Sequence, residues 1–81
     1  MLKNKPMYLL EVFDVTSNRY LFKRRISDNI DSIEDWVMAN AQKWVLLPIE
    51  VECDGYGCGK VCLYNNHGTI YEFKTTAIGV I

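Results

Sequence analysis

Histidine is almost missing from this chain. His67 is the one imidazole in 81 residues, which removes most of the ordinary acid–base chemistry available near neutral pH. Proline occurs twice and glycine five times, with no low-complexity stretch, internal repeat or linker. No apolar run approaches the ~18–20 residues that cross a bilayer; the run Trp44–Leu47 stops at Pro48. Lys3 and Lys5 precede an apolar segment, but Glu11 and Asp14 interrupt anything like a signal-peptide core. Neither sign of charge dominates, the formal net charge being −1, which argues against a nucleic-acid coat protein. Three cysteines, an odd number, cannot all close into internal disulfides. Free thiols in a reducing, cytoplasmic setting are the expectation.

What is present fits one small domain over residues 1–81. Apolar residues make up 49% of the chain, too many for intrinsic disorder at so low a net charge. A domain of this length buries roughly 60–65% of its unfolded surface. Additional stability then comes from a metal, a disulfide or a second subunit.

Met7–Val15 (MYLLEVFDV) reads as a strand, with Tyr8, Leu10 and Val12 on one face and Leu9, Phe13 and Val15 on the other. Thr16-Ser17-Asn18 has turn chemistry. Arg19–Ile26 alternates, with Tyr20, Phe22 and Ile26 pointing one way and Arg19, Leu21, Lys23 and Arg25 the other. Together these segments predict an antiparallel hairpin. A helix follows, capped by Asp28 or Asp31; Asp31-Ser32-Ile33-Glu34 has capping-box spacing, and Ile30, Ile33, Val37, Ala41 and Trp44 form its apolar stripe. Beyond Pro48, strands are predicted over Ile49–Cys53, Lys60–Tyr64 and Thr69–Thr75, with Ala77–Ile81 as a further short strand. The fold class is α+β, an antiparallel sheet with one helix packed on a face, in the order ββαβββ.

Four donors of the kinds zinc prefers, Cys53, Cys58, Cys62 and His67, are spaced C-x4-C-x3-C-x4-H. The spacing lacks the C-x2-C knuckle of most small zinc sites, so packed or incidental thiols are favoured and no metal or other cofactor is expected. Disulfides between Cys53 and Cys58, or Cys53 and Cys62, are no better supported. Gly55, Gly57 and Gly59 superficially resemble a phosphate loop, but strand rather than helix follows them. A flexible hairpin loop with positive φ at several positions is expected, with Tyr56 at its tip as a candidate partner anchor. No catalytic motif surrounds His67, and a chain this short is expected to lack a cleft of a few hundred cubic ångströms. No enzymatic activity is anticipated.

Charge order says more than net charge. Residues 1–26 hold six Lys/Arg against two acids, a balance of +4; residues 27–59 hold seven acids against Lys43, a balance of −6; residues 60–81 sum to +1. The expected contact surface combines the acidic helix residues Asp31, Glu34 and Asp35, the neighbouring Trp36, the loop residue Tyr56, and the basic strand residues Arg19, Lys23 and Arg25. The alternative is a small nucleic-acid-binding domain using Arg19, Lys23, Arg24 and Arg25 against phosphates. The uncharged tail AIGVI is an edge open to strand addition or homodimerisation unless paired.

The MYLLEVFDV–NRYLFKRRI hairpin, the SIEDWVMANAQKW helix and the strand after it resemble, in overall style, the small phage-encoded host-takeover and anti-defence inhibitors. That resemblance implies steric or electrostatic blockade of a larger host or defence complex without chemistry, and assigns no residue a role. The function expected from the sequence is a non-catalytic protein-binding module, an inhibitor or adaptor.

Overall fold

The computed structural model describes residues 6–65 and 68–80. Five strands and one helix occur in the expected order: β1 (Pro6–Asp14), β2 (Arg19–Ser27), α1 (Ile30–Trp44), β3 (Ile49–Cys53), β4 (Gly59–Leu63) and β5 (Thr69–Val80). All pairings are antiparallel, in one sheet of spatial order β2-β1-β5-β4-β3. The α+β expectation holds. Ala77–Val80 is not a sixth strand: it continues β5, where pairing with β1 carries the ladder to Val80.

The helix stripe meets the apolar face of β1. Leu10, Val12, Ile33, Val37 and Ala41 are buried, with Val61, Tyr71 and Phe73 completing the layer from β4 and β5. An aromatic cluster closes one side, with Phe22 and Trp44 edge to face at 5.3 Å, and Trp36 and Tyr71 against the same rings. Gly59 lies opposite Phe73, whose ring covers the glycine; a Cβ there would sit 2.6 Å from the ring edge. An aromatic over a strand glycine restores the apolar contact that the missing side chain forfeits.

Three sequence expectations need correction. The helix cap is Asn29, not Asp28 or Asp31: its Oδ1 accepts from the Ser32 amide at 2.8 Å, and Asp28 Oδ1 in turn accepts from the Asn29 amide. Glu34 completes no capping box and is buried instead. Third, β2 does not alternate without interruption. Val12 pairs with Phe22 but Phe13 with Tyr20, so Leu21 is an extra residue in a bulge. A one-residue shift exchanges faces, placing Tyr20 beside Phe13 on the open side of the sheet while Phe22 stays under the helix.

Candidate functional site

The Asp54–Cys58 loop joins β3 to β4 and is tied down by two carboxylates. Asp54 Oδ1 accepts from the amides of Tyr56 at 2.7 Å and Cys58 at 3.1 Å. Glu34 Oε2, from the helix, accepts from the amides of Gly55 at 3.2 Å and Gly57 at 3.3 Å. Alternate amides therefore turn to opposite sides and each side finds an anion. Positive φ at Gly55 (83°) and Gly57 (90°) makes this possible. Successive amides in such a conformation form an anion-binding concavity. Here the chain fills its own concavity with Glu34, which is only 6% exposed. Gly57 also packs against Thr75, where an added Cβ would lie 2.7 Å from the Thr75 Cβ. The expected flexible loop has its positive φ values but is fastened to the helix.

This fastening fixes Tyr56, 78% exposed, beside the acidic part of the helix. Asp31 and Asp35 are exposed, one helical turn apart. The Cys53 thiol, which still reaches solvent, is raised above its ordinary pKa first by burial, then by the charges of Glu34, Asp54 and Asp35. Those three carboxylates thus share one neighbourhood. Glu34 itself must be removed from the expected contact surface. Trp36 is half-buried, engaged with Phe22 and Trp44 and covered by the Arg24 guanidinium at 5.2 Å.

The basic strand is divided. Lys23 and Arg25 lie on the open face opposite Glu11 and Leu9, Arg24 on the helix side over Trp36, and Arg19 opposite Asp14. The bulge takes Arg19 out of phase with Lys23 and Arg25, correcting the expectation that the three project together. Lys23 is engaged with Glu11 at 3.6 Å and lies over the Tyr20 ring at 4.3 Å.

Two further features were not foreseen. The open face carries a concavity of about 760 Å³ with Phe13, Tyr20, Glu11, Glu72, Lys60 and Lys74 in its lining, contrary to the expectation of no cleft. It exists because the single helix covers only one face of the sheet. Leu46, 93% exposed, and Leu47 stand out at the bend before Pro48, where Gln42 Nε2 donates to the carbonyls of Val45 and Leu47. An apolar run ending at a proline was the available signal.

Cys53, Cys58 and Cys62 are free thiols, and Cys62 is buried against the Thr69 hydroxyl. His67, the fourth donor of the spaced set, lies outside the described residues. Among the described residues no group of three His, Cys, Asp or Glu side chains converges on a possible metal position, and no helix is long and apolar enough to cross a membrane. No family model, curated protein or solved structure matches this chain.

Proposed function

We propose that this chain is a non-catalytic protein-binding module that blocks or modulates a larger complex, in the manner implied by its likeness to small phage inhibitors. The observation that carries this reading is the pair of hydrogen bonds from Gly55 and Gly57 to Glu34. They hold an exposed tyrosine on a preorganised loop, beside the helix that carries the exposed Asp31 and Asp35. Tyrosine supplies much contact area at low entropic cost, and preorganisation lowers the ordering penalty of binding. The acidic surroundings select a basic surface on the partner and speed encounter. The split of Arg19, Lys23, Arg24 and Arg25 between two faces leaves the rival nucleic-acid reading without a continuous phosphate track.

The test is capture from bacterial lysate with the immobilised chain, run beside anisotropy measurements on labelled DNA and RNA. The expected result is a retained protein that Tyr56→Ala loses and that paired Asp31→Lys and Asp35→Lys substitutions weaken. Micromolar nucleic-acid binding with a steep negative salt slope, abolished by Lys23→Glu with Arg25→Glu, overturns the reading in favour of the rival.

A further inference from the structure

The sheet has two full edges, β2 and β3, and a third, partial edge inside it. β4 pairs with β5 only as far as Phe73. Beyond that point β5 runs on to Val80, hydrogen-bonded to β1 on one side and, among the described residues, to no strand on the other. The Asp54–Cys58 loop reaches Thr75 through Gly57. Past it, Thr76, Ala77, Ile78 and Gly79 are all exposed, and a Cβ added at Gly79 would meet nothing within 4 Å.

Unpaired strand backbone is a template for another strand, and proteins normally guard it with charge, proline, bulges or shortness. The β2 edge carries Arg19, Lys23, Arg24 and Arg25 and a bulge. The β3 edge is five residues long, follows Pro48 and carries Glu50 and Glu52. The free stretch of β5 from Thr75 to Val80 has no charge and no proline, and its one guard is a bulge at Ile78, the extra residue opposite the Met7–Tyr8 step of β1.

We infer that this stretch pairs antiparallel with the same stretch of a second copy of the chain, about a two-fold axis normal to the sheet. Charge arrangement selects the second copy as the occupant. Self-pairing of β2 about its centre sets Lys23 opposite Lys23, and self-pairing of β3 sets Glu50 opposite Glu52, both unfavourable. Self-pairing of Thr75–Val80 brings no like charges together and keeps each Lys74 at the far end of the other strand. The two β4 strands then lie in line with the incoming strand, not across it. The result is a continuous sheet, β2-β1-β5 joined to its two-fold mate, with both helices on one face. This inference does not rest on the binding surface around Tyr56.

Analytical ultracentrifugation from micromolar to millimolar concentration, combined with amide hydrogen exchange, tests it. The expected mass rises from 9.4 kDa toward twice that value, and amides of residues 76–80 become protected as concentration rises while those of β2 and β3 do not. Ile78→Lys, at a side chain 46% exposed, abolishes both effects and leaves the far-ultraviolet circular dichroism unchanged. A chain that stays monomeric throughout overturns the inference, as does a dimer whose protection falls on β2 or β3. A monomer whose residues 76–80 are protected by a synthetic Thr75–Val80 peptide also overturns it, and points to a foreign strand as the occupant. The concentration dependence of the unsubstituted protein decides the matter even if Ile78→Lys fails to fold.

Discussion

Two turns in this molecule begin alike and are held differently. After β1, Asp14 Oδ1 accepts from the amides of Thr16 and Ser17, and Asn18 takes the left-handed conformation at φ 58°. After β3, Asp54 Oδ1 accepts from Tyr56 and Cys58 in the same local manner. The second turn adds a carboxylate from the helix, more than twenty residues away in sequence. The side-chain fastening of the β1–β2 turn comes from within its own five residues, and its remote tie is a backbone one, the Val15 amide donating to the Ile70 carbonyl of β5 at 3.0 Å. The β3–β4 loop is complete only when helix and sheet have docked, so its shape reports on tertiary packing.

Removing the remote carboxylate breaks this contrast most directly. Glu34→Ala leaves two poorly solvated amides without an acceptor and should cost about 1–3 kcal/mol in denaturant unfolding. Exchange should accelerate at Gly55 and Gly57 while Thr16 and Ser17 are unmoved; Glu34→Gln, which keeps an acceptor oxygen, should lose less. Gly57→Ala comes next. It demands a positive φ of a residue with a Cβ, against Thr75, and should destabilise by about 1–3 kcal/mol. Asp54→Ala removes only the local half of the fastening and should cost about 0.5–1.5 kcal/mol.

The smallest effect belongs to Asp14→Asn, read by its pH dependence. The Asp14 carboxyl is held below its ordinary value of 3.8, chiefly by the Ser17 amide. A carboxylate whose pKa is lowered by folding contributes stability that is full above the ordinary value and is lost as pH falls through the lowered one. The advantage of the unsubstituted protein over Asp14→Asn should therefore be present at neutral pH and vanish in strong acid. If it persists there, the Ser17 amide is not what holds this turn.

The same division between local and remote explains what could be read in the residues beforehand. The hairpin, the helix with its Ile33–Val37–Ala41 stripe and the positive φ of the glycine loop follow from periodicity and turn chemistry. The role of Glu34 does not: its position three residues after Asp31 fits a capping box, and only the approach of Gly55 and Gly57 supplies better donors. Asn29 was overshadowed as the cap by two nearby aspartates whose chemistry fits equally well. The continuation of β5 through Ala77–Val80 depends on β1 being long enough to pair with it. Tyr56 was legible as an exposed loop aromatic, but its acidic neighbours were not, because they come from a different element.

The extra residue at Leu21 has its own consequence. Tyr20 looks toward the open face because its partner is Phe13, and not by its own chemistry. Deleting Leu21 would make the ladder regular while leaving Tyr20 opposite Phe13 and Arg19 opposite Asp14, because those pairings already skip the extra residue. Leu21 is therefore a position where the strand can lose a residue and keep the pairings on both sides.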